Sequence, residues 1–170
     1  MSRLICSSAF DQSELNNSNI SNLLKISKVA SEKGGSILMN NYRKISEIHN
    51  KGLIGDLVTN SDIEAEKEII NYLKKETPEI PILAEESGGI NKSEGLMWCI
   101  DPLDGTTNYA HGYPFFASSI GLCWNDLPLL GSISVPYLKQ TYYSAPGIGA
   151  FCNDEIIKVS NTNKLINSLL

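Results

Sequence analysis

Long apolar runs, basic clusters, paired cysteines and low-complexity tracts are all missing from this chain, and each absence excludes a class of function. No apolar stretch approaches the roughly 18 residues that span a bilayer, and the apolar part of "MSRLICSSAF" is too short for a secretory signal. Lys and Arg number 14 against 19 Asp and Glu, a net charge of −5, and no basic block forms a stripe for a nucleic-acid backbone. Neither a membrane nor a nucleic acid is therefore expected as a partner. The four cysteines, Cys6, Cys99, Cys123 and Cys152, contain no C-x-x-C pair and read as reduced thiols of a cytoplasmic protein. Cys99 and Cys123 lie in apolar runs, where Cys acts as a small hydrophobe.

What is present describes one globular domain. At 170 residues, 42% hydrophobic and 19% charged, the chain is long enough for a single core and too short for two comfortable ones. "DQSELNNSNI" is polar, and residues 1–17 are expected to be flexible, which leaves 18–170 as the domain. From Ser18 to His49, apolar residues recur at helical spacing, and Gly34-Gly35 inside that stretch suggests a close helix–helix approach. Ser61-Asp62-Ile63-Glu64 reads as a capping box opening a helix over 61–76, with Ile63, Ile69, Ile70 and Leu73 along one face. The period then changes. Strands are expected at 81–85, 96–101, 116–124, 129–135, 140–144, 149–152 and 156–160, with a short helix at "TTNYAHG" and a hairpin turn at Asn153-Asp154. Two long helices followed by many strands is an α+β order, with the helices packed on a largely antiparallel sheet.

Acidic residues gather at strand ends. Glu85 and Glu86 follow "PILA", Asp101 follows "WCI", and Asp104 comes three residues later across Pro102. Two carboxylates at that spacing aim at one point if the backbone curls, and the Leu103 carbonyl can face the same point. Carboxylate and carbonyl oxygens without sulfur or imidazole are the donors a hard cation takes. Behind them, Gly105 permits a tight turn, and the amides of Gly105, Thr106 and Thr107 fall where a helix begins, a place suited to phosphate. Each residue alone has a plainer explanation: Asp104-Gly105 as a turn, Asp62 as a first-turn acid, Glu85-Glu86 as solvated surface. The set together points to a divalent-metal phosphate site, without naming a reaction. No Ser or Cys stands beside a base, so no covalent intermediate is expected, and His111 reads as structural.

"DPLDGTTNY", with "AEES" and "DLVTNSD" upstream and "GAFCND" and "VS" downstream, closely resembles the inositol monophosphatase family of Mg²⁺-dependent, lithium-sensitive phosphatases. The D-P-[IL]-D-G-T-x-N signature is highly specific, and the resemblance runs from about Ile20 onward. It implies that Glu85, Asp101 and the Leu103 carbonyl hold one metal, that Asp101 and Asp104 share a second, and that a third leans on Glu85. It implies that Asp62 and Thr106 orient and deprotonate the attacking water, and that Gly105 and Thr106 amides cradle phosphate. Lys51, five residues before Asp56, matches a family lysine near the site. The implied substrate is an inositol phosphate or a related sugar or alcohol phosphate, histidinol phosphate included, and the implied assembly is a homodimer. The family's chain is longer, and its later W-D-x-A-A-G segment has no counterpart here, since Trp98 and Trp124 precede Cys99 and Asn125. The expectation is therefore the family's N-terminal lobe, either a working phosphomonoesterase or a truncated remnant that binds metal and phosphate with little turnover.

Overall fold

A computed structural model describes residues 17–44, 48–50, 57–89 and 94–168. The expectations for residues 1–16, for Lys51 and for Cys6 lie outside the described residues. Helix α1 (Asn17–Asn41) runs unbroken through its glycine pair, and its buried stripe of Ile20, Leu23, Leu24, Ser27, Ala30, Ser31 and Leu38 keeps the helical period. It ends before the expected His49: Arg43 adopts a left-handed φ of 60°. Strand β1 (Ile48–Asn50) then pairs antiparallel with β2 (Leu57–Thr59). Helix α2 (Asn60–Glu76) starts one residue ahead of the expected box, so Ser61 lies within it. Its buried face is Ser61, Asp62, Ala65, Glu66, Ile69 and Leu73, which turns Ile63 outward at 52% exposure. The helical period puts Ile63 out of phase with that stripe, contrary to the expectation that it lines the inner face.

Eight strands form the main sheet: β3 (Ile82–Ala84), β4 (Gly88–Gly89), β5 (Leu96–Asp104), β6 (Ala117–Trp124), β7 (Leu127–Val135), β8 (Gln140–Ala145), β9 (Gly149–Cys152) and β10 (Glu155–Ile156). Their order is β10-β9-β8-β7-β6-β5-β3-β4, antiparallel throughout except where β3 runs parallel to β5. A short helix, α3 (Thr106–Ala110), follows β5. The fold is thus α+β with a largely antiparallel sheet, as expected. Two details differ. The strand expected at 156–160 is reduced to Glu155–Ile156, and Val159 beyond it is 94% exposed. Strand β4 lies in a glycine pair that reads as loop.

Helix α1 packs along β6, β7 and β8, and α2 along β5, so both helices cover one face. Trp98, Ile100, Ile120, Leu122 and Leu130 of the sheet meet Leu23, Leu24, Ala30, Ile69 and Leu73 of the helices there. The glycine pair brings α1 close to the sheet as well as to α2. A Cβ on Gly34 would collide with Ser118 Oγ and stand 2.8 Å from Ile69 Cδ1, and one on Gly35 would stand 2.7 Å from Ser134 Oγ. The opposite face is bare among the described residues. It carries Cys99, Gly121, Tyr142 and Ile133, the last 44% exposed, and an open hollow of ≈ 320 Å³ edged by Gly131 and Phe151. No described helix is long and apolar enough to cross a membrane.

Candidate active site

Strand β5 builds the centre. It continues through Pro102 to Asp104, and its pairing with β6 slips between Asp101 and Asp104, a bulge that tolerates a proline lacking an N–H. Pro102 and Leu103 both turn into the protein, while Asp101 stays half-buried and Asp104 exposed. Gly105 then takes a φ of 85°, and a Cβ there would stand 2.9 Å from the Phe115 carbonyl, so glycine is required twice over.

The parallel register decides which acid meets Asp101. Ala84 pairs with Ile100, and the Glu85 N–H donates to the Ile100 carbonyl at 3.1 Å, which seats Glu85 beside Asp101. Their carboxyls hydrogen-bond each other. Burial, that bond, and the charges of Glu85 and Asp104 push the Asp101 carboxyl up to about 7, although the Leu103 N–H, donating at 3.1 Å, favours the ionised form. Both acids line an open hollow of ≈ 510 Å³ with Leu83, Cys99 and Ser119.

Asp62, 1% exposed in the first turn of α2, stands 3.4 Å by its Oδ1 from Thr106 Oγ1. The Thr106 hydroxyl has one hydrogen, and its shorter bond, 3.0 Å, goes to the Leu103 carbonyl. Residues far apart in sequence, 62, 85 and 101–106, are therefore gathered at one end of the sheet. Asp104, exposed, acts on the cluster through its charge on Asp101. Thr107 is exposed, and its carbonyl accepts from His111, whose Nδ1 lies 2.8 Å away.

No three described acidic, His or Cys side chains converge into a closed metal cage. The donor set nonetheless fits Mg²⁺, which is held by one or two carboxylates and completes its shell with water and phosphate oxygens. Two carboxyls seated side by side make a place where a cation relieves repulsion.

Two further residues shape the site. Glu66, 5% exposed and one turn after Asp62, accepts from the backbone N–H groups of Glu86 at 2.9 Å and Ser87 at 3.0 Å. Tyr109, fully buried, donates its hydroxyl to the Leu38 carbonyl at 2.8 Å and contacts Ser61 Oγ at 3.1 Å, tying α3 to the start of α2. The sequence signal for Glu66 is an acid at i+4 from Asp62 in phase with Ile69 and Leu73, a charge on the apolar stripe.

Residues 19–170 match the profile of the inositol monophosphatase family. The inositol-1-monophosphatase of Synechocystis is 40% identical over 90% of this chain and 54% of its own. The fructose-1,6-bisphosphatase/inositol-1-monophosphatase of Aquifex aeolicus is 36% identical over 86% of this chain and 56% of its own. Among solved structures, the suhB protein of Bartonella henselae superposes with a TM-score of 0.77 at 35% identity, covering 83% of this chain and 55% of that one. The inositol monophosphatase of Anabaena superposes with a TM-score of 0.73 at 36% identity, covering 85% and 52%. The chain thus spans about half the length of the relatives it matches. On sequence profile and fold alike, it belongs to the inositol monophosphatase family.

Proposed function

We propose that this chain supplies the metal- and phosphate-binding part of a phosphomonoesterase acting on inositol phosphate or a related sugar or alcohol phosphate. The observation that carries this reading is the seating of Glu85 against Asp101 by the parallel β3–β5 register, at the sheet end where Asp62 meets Thr106. Hydrolysis of a phosphate monoester is among the slowest uncatalysed reactions and needs on the order of 20 kcal/mol of barrier lowering. Two or three bound Mg²⁺ ions would acidify the attacking water and stabilise the leaving alkoxide. Glu85, Asp101 and Asp104 would hold them, with the Leu103 carbonyl as a further oxygen. Asp62 Oδ1 lies 3.4 Å from the Thr106 hydroxyl; with the hydroxyl hydrogen turned from the Leu103 carbonyl to Asp62, Thr106 Oγ1 would accept a proton from water as its own proton passes to the Asp62 carboxylate. The amides of Gly105, Thr106 and Thr107 lie outside the i→i−4 ladder of α3, and so remain available to phosphate oxygens. Lys51 would add a positive charge near the phosphate. The free thiols of Cys99, Cys123 and Cys152 support a cytoplasmic setting.

The test is phosphate release from inositol 1-phosphate by the purified chain. Mg²⁺-dependent, lithium-inhibited release is expected. Asp101→Asn should depress it by more than the roughly 10–100-fold typical of residues standing behind a ligand. Turnover unchanged in Asp101→Asn would overturn the assignment. The second reading is a metal- and phosphate-binding module with little turnover by itself. Saturable Mg²⁺ binding without phosphate release would select it.

A further inference from the structure

We infer that Glu66 is a positioning residue for the metal site: its carboxylate fixes the turn carrying Glu85 to the helix carrying Asp62. This rests on the reading that Glu85 and Asp101 hold a divalent cation. Glu66 Oε2 accepts from the Glu86 N–H at 2.9 Å and Oε1 from the Ser87 N–H at 3.0 Å, so both oxygens grip consecutive amides immediately after Glu85. A charge-assisted, two-point grip sets the direction of a short turn more firmly than one neutral bond does. The carboxylate is 5% exposed, and its bonds go to this turn rather than to the core, which Ile69 and Leu73 of the same helix already hold. Asp62 sits one turn earlier on the same buried face. One rigid helix therefore supports the residue that holds Thr106 and, through Glu66, the residue that faces Asp101. Outer residues that orient a metal ligand govern affinity without touching the ion.

The experiment titrates Mn²⁺ into the full chain, followed by its electron paramagnetic resonance signal, for wild type, Glu85→Gln, Glu66→Ala and the near-isosteric Glu66→Gln. Amide exchange at Glu86 and Ser87 is measured in parallel by NMR. Wild type should bind, Glu85→Gln should lose saturable binding, and the Glu66 variants should bind about tenfold or more weakly. The Glu86 and Ser87 amides should exchange faster in those variants. Because coupling is reciprocal, Mg²⁺ added to wild type should slow exchange at the same two amides, a readout that needs no variant to fold. Wild-type Mn²⁺ affinity in a folded Glu66 variant overturns the inference alone, as does exchange in wild type that saturating Mg²⁺ leaves unchanged. Equal binding by wild type and Glu85→Gln, or none by either, overturns the site reading and the inference with it.

Discussion

A half-buried carboxyl beside two other acids stays near neutrality until a positive charge arrives, and Asp101 is held in that condition by burial, Glu85 and Asp104. Its neighbour on the same strand face, Cys99, shows the same physics with sulfur. Burial, helped by Cys123 with its Sγ 3.8 Å away, pushes the Cys99 thiol up to about 11. At pH 8 its thiolate fraction falls to about one in a thousand, so alkylation is expected to run roughly a hundredfold slower than at an ordinary thiol. Iodoacetamide labelling with peptide mass mapping measures this directly; ordinary labelling of Cys99 would contradict the raised thiol. Tyr109 illustrates a different economy, one hydroxyl bonding two elements at once and so fixing where Thr106 stands relative to Asp62.

At the scale of elements, the seam between α1 and the sheet leaves no room for an added methyl group. Gly34 faces Ser118, whose buried Oγ has no hydrogen-bond partner among the described residues. Gly34→Ala gains up to about 1 kcal/mol of helix propensity but overpacks the seam by about 1–3 kcal/mol, so net destabilisation is expected. Ser118→Ala removes an unsatisfied hydroxyl and should stabilise by about 1 kcal/mol. Combined, the second substitution should recover part of the first's cost, since one of the two colliding atoms is gone. Thermal or urea melts of the four-protein cycle measure the coupling, and strict additivity would contradict the contact. The hairpins follow local chemistry instead. Asn125-Asp126 and Asn153-Asp154 each take two positive φ angles, 49° and 62°, then 49° and 71°, the conformation of a tight two-residue turn.

For the whole molecule, helices cover one face of the sheet and no described element covers the other. A half-apolar sheet face is a surface for association. The purified chain is expected to self-associate, its weight-average mass in sedimentation equilibrium rising with concentration. A lysine on that face, Ile133→Lys, should reduce the effect. A constant monomer mass would show that the open face does not drive association, and a concentration-independent dimer would instead support the homodimer that the resemblance implies.

Much of this was legible in the residues. The helical stripe of α1, the turn at Asn153-Asp154, the positions of most strands along the chain and the D-P-L-D-G-T-T-N motif all lie within short windows, where period and backbone chemistry act directly. What those windows could not contain was partnership. The parallel seat of Glu85 beside Asp101, the slip of β5 around Pro102, the pairing of Gly88-Gly89 and the grip of Glu66 on the next turn all join residues that only the folded chain brings together. Local pattern says which face of an element is apolar; which neighbour that face meets, and in what register, is settled by packing the elements into one core. The carboxylates were therefore readable as a set from their spacing, while their pairing was decided by the sheet.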